Sequence, residues 1–202
     1  MSKPSPFLVK TRVYPEFAKT SFLVYGLIVS IAIFFVGAIV AYLGRFVFSS
    51  HPITPVVIPP ILWINTLLLL IGSHLLFRGY RAVRREQLQR FRRYLCASLT
   101  IACIFCVLQS IGMYELLDQH WQQSSRTSGS VAAVLLMVFL HVAHFFAGLL
   151  GLAFVTFQAF QGRYDHEYHN GVRLVAIYWR FLDLIWLLLL LLFYSTGTSL
   201  LF

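Results

Sequence analysis

Two residue pairs could do chemistry: His141 with His144, and Arg180 with Asp183. Each pair is three residues apart in an apolar stretch, so each shares one face of a helix. Ionisable groups are costly in hydrocarbon, and each such group is a functional candidate by default. The histidines suggest haem iron, which two histidines from two helices can hold. His141 and His144 lie on one helix and cannot be the two opposite axial ligands of one iron. A bis-histidine site would need His74, the other histidine in an apolar stretch. At about 1.5 Å rise per residue, His74 falls near the inner surface and His141 near mid-membrane. The depths do not match, so no haem or metal is expected in this chain.

The spacing of Arg180 and Asp183 permits a local ion pair, which lowers the burial penalty of each. By helical rise, His144 comes to a similar depth. The expectation is a polar layer of His141, His144, Arg180 and Asp183 in the inner leaflet. It could serve as interhelical hydrogen bonding, a lipid-headgroup site or a proton relay. Tyr178, Trp179 and Trp186 flank the charged pair and are expected as packing or interface aromatics. Cys96, Cys103 and Cys106 all lie in the third apolar stretch, and Cys103 and Cys106 share a face three residues apart. A disulfide across one helical turn is strained, so they are expected as small apolar packing residues.

The elements that must position these groups follow from composition. The chain has 202 residues, 59% of them hydrophobic and 11% charged, with a formal net charge of +9. Its mean hydropathy is +0.77. So few charges exclude a soluble enzyme, and so much apolar character excludes disorder. Crossing a hydrocarbon core of roughly 30 Å takes about 20 helical residues. Five stretches qualify: Phe22–Val47, Val57–Phe77, Tyr94–Glu115, Val131–Gln158 and Leu174–Thr196. Backbone in lipid must bond internally, so these are helices. Pro59-Pro60 suits the start of the second helix. Residues 1–20 read as a basic arm and 21–202 as one transmembrane domain; the first apolar run is too long for a cleavable signal.

Alternate loops collect the basic residues. The arm (Lys3, Lys10, Arg12, Lys19), the second loop (Arg78–Arg93) and the fourth loop (Arg163, Arg173) hold thirteen Lys and Arg. The other side holds Arg45 and Arg126 alone. The positive-inside rule then predicts an all-α, five-helix bundle with its N-terminus inside and C-terminus outside. The Arg78–Arg93 cluster reads as a contact for anionic headgroups, and nucleic acid is not expected as a partner.

Three segments carry a family resemblance. His141-Val-Ala-His-Phe-Phe-Ala-Gly148 is similar to an H-G-x-H-V-x-x-G segment. Tyr178-Trp-Arg-Phe-Leu-Asp-Leu-Ile-Trp186 is similar to Y-W-H-F-V-D-V-V-W. Leu108-Gln109 followed by Tyr114-Glu115 is similar to L-Q-x-x-E-Y-x-E. In this order they resemble subunit III of the haem–copper terminal oxidases, the cytochrome c oxidase subunit 3 family, over roughly residues 60–202. The resemblance is to the short five-helix form. It departs in three places: Arg78 where the family often has an acid, Gly112 for the first glutamate of E-Y-x-E, and Arg180 for the histidine of Y-W-H-F.

The resemblance implies a non-catalytic subunit of a proton-translocating oxidase in a bacterial inner membrane. Haem and copper would sit in subunits I and II, and a larger supercomplex could follow. The chain would hold phospholipid through His74, Arg78, His141, His144, Arg180 and Asp183. Ala143, Ala147, Gly148 and Gly151 are small residues suited to close helix contact. Two other readings predict different observations. A nitric-oxide reductase accessory subunit would have other partners, and a cytochrome b-like carrier would show a haem band. A transporter would need broken helices at matching positions in two halves, and none is visible.

Overall fold

Long apolar runs without internal proline form helices in lipid, because the helix satisfies every backbone group itself. The computed structural model of the chain describes residues 15–44, 60–123, 129–162, 164 and 169–198. It contains five helices: α1 Pro15–Tyr42, α2 Ile61–Arg84, α3 Leu88–Gln123, α4 Gly129–Phe160 and α5 Asn170–Thr198. All five are long and apolar enough to span a membrane. His51, Arg45, Arg126, Arg163, His166 and residues 1–14 lie outside the described residues.

The boundaries shift from those expected, each for a local reason. Helix α2 opens at Ile61, four residues later than expected, and Pro60 caps it with φ −56°. The Trp63 amide donates to the Pro60 carbonyl at 3.1 Å. The helix then runs past Phe77 to Arg84, and α3 begins at Leu88 rather than Tyr94. The expected basic loop is therefore two helix ends joined by residues 85–87. Arginine is a good helix former, so charge ends the lipid-soluble stretch without ending the helix. Glu86 turns the chain with φ 59°, and the Gln87 amide reaches the Ala82 carbonyl at 3.0 Å. That is a left-handed helix cap, here without the usual glycine. Glu115 does not end α3, which continues for two more turns.

Helices α2, α3, α4 and α5 close a ring, in which α2 also packs on α5; α1 rests against α4 and α5. Cross-helix contacts fix the directions. Asn65 meets Gln109 between α2 and α3, Phe105 meets Phe145 between α3 and α4, and Tyr178 meets His144 between α5 and α4. Second contacts, Gly79 with Tyr94, Arg92 with Ala159 and Gly151 with Val175, run in the opposite sense along each pair, so each is antiparallel. The ends carrying Arg78, Arg81, Arg84, Arg85, Arg90 and Arg173 therefore lie together at one end of the bundle.

Glycine sets the closest approaches. A Cβ at Gly112 would lie 2.9 Å from Leu62 Cδ2. The departure from a family glutamate here thus coincides with tight α2–α3 packing. A Cβ at Gly148 would lie 3.0 Å from Tyr178 Cε1, at the α4–α5 crossing. Small residues let helix backbones approach in lipid, where packing and hydrogen bonds, not water exclusion, hold helices together.

Candidate functional site

The centre of the ring is aromatic and polar at once. Trp186 on α5 is buried, and its ring stacks on His141 of α4, centroids 5.3 Å apart and planes 28° apart. The indole N–H donates to Thr66 Oγ1 on α2 at 2.9 Å. Thr66 in turn donates to the Leu62 carbonyl at 2.8 Å. Beside it, Asn65 Nδ2 donates to Gln109 Oε1 on α3 at 3.0 Å. Phe105 meets the Trp186 edge at 6.3 Å and Phe145 at 4.5 Å. Phe35 of α1 approaches both His141 and His144, at 6.3 and 5.8 Å. One residue, Trp186, thus ties α2, α3 and α4 to α5.

The expected polar layer separates into an inner and an outer part. Inside, His141 is fully enclosed, 0% exposed, and neither ring nitrogen has a hydrogen-bond partner. Asp183 is buried and lies beside Ser73 of α2. Its Oδ1 is buried without a partner. His144 is half-buried; its Nδ1 donates to the Leu140 carbonyl at 2.6 Å, and its own carbonyl accepts from the Tyr178 hydroxyl at 3.1 Å.

Outside, Arg180, His74 and Arg78 are exposed. No salt bridge joins Arg180 to Asp183 among the described residues. The Arg180 guanidinium instead lies 4.1 Å from the centroid of Phe77, and Arg81 lies 4.3 Å from the same ring. A cation over a ring face is stabilised by the ring quadrupole. Arg180 and Asp183 both lie on the α5 face towards α2, about 60° apart around the helix; Asp183 is buried there, while Arg180 reaches out over Phe77 at its edge.

One expectation about side chains needs correction, that for Cys103. Of the two readings of Tyr178, Trp179 and Trp186, packing is the one their burial supports, with Trp186 only 2% exposed. They sit where α5 is covered by α2 and α4. Cys103 is exposed on α3, so only Cys96 and Cys106 pack partly inside. His74 and His141 are not brought together: one faces outward from α2, and the other is covered by Trp186 and Phe35. Asn65, Thr66, Ser73 and Phe35 were not foreseen as part of the site. The adjacent polar pair Asn65-Thr66 inside an otherwise apolar run was the available signal.

Within the loop before α5, His169 tilts against Tyr80 at 5.8 Å, and Phe91 meets Tyr164 edge-on at 6.4 Å. These contacts pin the α4–α5 connection to the α2–α3 hairpin. Arg92 adds a third tie, donating from Nε to the Ala159 carbonyl at 3.0 Å.

Five spanning helices around a polar, aromatic centre define a multi-pass membrane protein. The chain belongs to the cytochrome c oxidase subunit III family, whose model matches residues 17–198. It is 29% identical over 132 residues to cytochrome c oxidase subunit 3 of Thermostichus vulcanus, covering 65% of this chain and 63% of that protein. The same-named protein of Synechocystis sp. is 27% identical over 65% of this chain and 54% of the relative. That of Corynebacterium diphtheriae is 24% identical over 63% and 62%. The matched regions thus span somewhat over half the length of these relatives. The family segments around His141 and Tyr178–Trp186 are the ones that meet at the centre of the ring.

Proposed function

We propose that this chain is the non-catalytic subunit III of a proton-translocating haem–copper oxidase of the cytochrome c oxidase type, working in aerobic respiration. It packs on subunit I, while haem and copper belong to subunits I and II. The observation that carries the reading is the stack of His141 on Trp186, which joins two family segments 45 residues apart in one buried contact. A structural subunit needs such a centre, rigid and closed, more than it needs an open cleft. Membership of a family named for an oxidase subunit supplies the partner class.

In this reading the N-terminus and the arginine-rich end face the cytoplasm, as the loop charges favour, in a bacterial inner membrane. The outer polar part, His74, Arg78 and Arg180, contacts phospholipid headgroups. The inner part, His141, His144 and Asp183, holds the helices in register. Support of turnover and proton uptake follows from holding subunit I in place. Membership of a larger respiratory supercomplex is compatible with the exposed apolar faces of α1 and α4.

The test is gentle solubilisation of the native membrane, with identification of co-purifying chains and of haem. A haem–copper subunit I should accompany this chain. A nitric-oxide reductase core in its place would move the chain to the accessory-subunit reading. A haem band in the isolated chain would make it an electron carrier instead.

A further inference from the structure

Among the described residues, four buried polar atoms at the centre of the ring meet no hydrogen-bond partner: Asn65 Oδ1 on α2, Gln109 Nε2 on α3, and Nδ1 and Nε2 of His141 on α4. The three residues are 0, 2 and 0% exposed. Helix register brings them to one level. Phe105 and Phe145 face each other across α3 and α4, with ring centroids 4.5 Å apart. These helices are antiparallel. Gln109, one turn after Phe105, and His141, one turn before Phe145, therefore stand on the same side of that contact and on the same inward faces. Asn65 is joined to Gln109 directly, its Nδ2 donating to Oε1 at 3.0 Å. His141 is tied to the same stretch of α2 through Trp186, which stacks on it and donates to Thr66, the neighbour of Asn65.

The unused atoms are chemically complementary. A neutral histidine offers one N–H and one bare nitrogen, the Asn65 oxygen accepts, and the Gln109 amide donates. Exchanging oxygen and nitrogen in both amides leaves the same set, one amide oxygen and one amide N–H. Buried polar groups are hydrogen-bonded in native proteins, through ordered water where protein atoms do not reach. Water carries two O–H donors and two lone pairs. We propose that Asn65, Gln109 and His141 form a binding site for one buried water molecule. The water accepts from Gln109 Nε2 and donates to Asn65 Oδ1 and to the bare nitrogen of His141. It gives α2, α3 and α4 one shared node beside the Trp186 stack. It also fixes which nitrogen of His141 carries the proton, since that is set by the hydrogen bonds the ring makes. The site does not rest on the subunit reading. Failure of an oxidase to co-purify would leave it unchanged, and a dry site would leave the subunit assignment standing.

The direct test is cryo-electron microscopy of the full-length chain, with the chains that co-purify with it, at a resolution that shows ordered water. Density should appear within hydrogen-bond reach of all three side chains. His141 bonded straight to Gln109 or Asn65, with no density between them, overturns the proposal. So does an absence of density there in a map that shows other buried waters. Thermal unfolding of the full-length chain in detergent gives an independent arm. Gln109→Met and His141→Phe should each lower the midpoint by several degrees. The double variant should fall little further than the worse single one, because either change removes the same water and the two sites are coupled through it. Falls that add in full overturn the proposal. Should a variant fail to fold, the density in the unaltered chain decides.

Discussion

The indole N–H of Trp186 on α5 bonds to the hydroxyl of Thr66 on α2, 120 residues earlier in the chain, at 2.9 Å. The bond sits behind the His141 stack and closes the ring of four helices. Losing it should be measurable in isolation from packing. Trp186→Phe keeps most of the ring volume and removes the donor. The expected destabilisation is about 1 kcal/mol for the hydrogen bond, with a further loss for the smaller ring. Thr66→Val should cost a similar amount. In a double-mutant cycle by thermal unfolding in detergent, the two should be clearly non-additive. Additive effects would mean that the bond contributes nothing.

Gly148 leaves room for the Tyr178 ring at the α4–α5 crossing. Gly148→Leu forces the helices apart, and overpacking of this kind costs about 1–3 kcal/mol. The expected outcome is a lower midpoint in thermal unfolding. The reverse expectation applies to the family residue: Gly112→Glu should destabilise this chain, because Leu62 fills the space a Cβ would need.

Asp183 is buried on α5 beside Ser73 of α2. Asp183→Asn keeps an acceptor of the same shape and should leave yield and stability within about 1 kcal/mol. Asp183→Leu takes away the polar group beside Ser73 and should cost about 1–3 kcal/mol. Equal stability of the two variants would show that a polar group is not needed there.

Arg180 is exposed within the spanning part of α5, and its charge rests on Phe77. Arg180→Met should leave the fold intact and lower the amount of native phospholipid that survives purification, read by phosphorus analysis. Unchanged lipid retention would remove Arg180 from the lipid contact.

Tyr164 lies outside the spans, and burial pushes its hydroxyl above the ordinary value of 10.0. The unfolded chain therefore ionises first as pH rises. This tyrosine's contribution is present below about pH 10 and declines above it as the unfolded phenol ionises. Tyr164→Phe should flatten part of the alkaline fall in unfolding midpoint.

The number of helices was legible because hydrocarbon forces backbone polar groups to bond internally, and five apolar runs are long enough. The family segments and the buried Asp183 were also legible. What joins them was not. Periodicity places Trp186 on a face of α5 without saying that Thr66, 120 residues away, covers it. Arg180 and Asp183 share a spacing that allows a pair, yet the Arg180 guanidinium lies over Phe77 of α2 instead, which spacing alone does not tell. The ends of α2 and α3 were misjudged because arginine ends a lipid-soluble run and still propagates a helix. Neighbour identity is a tertiary property, and local pattern does not encode it.

The most direct measurement solubilises the native membrane gently and pulls on this chain through a C-terminal tag. Chains and haem in the eluate are then identified by mass spectrometry and reduced-minus-oxidised spectra. The account predicts a haem–copper oxidase subunit I and subunit II in the eluate, with the haem signal following subunit I. When this chain is purified alone, it should be colourless. An eluate free of any haem–copper subunit, or a haem band belonging to this chain itself, would contradict it.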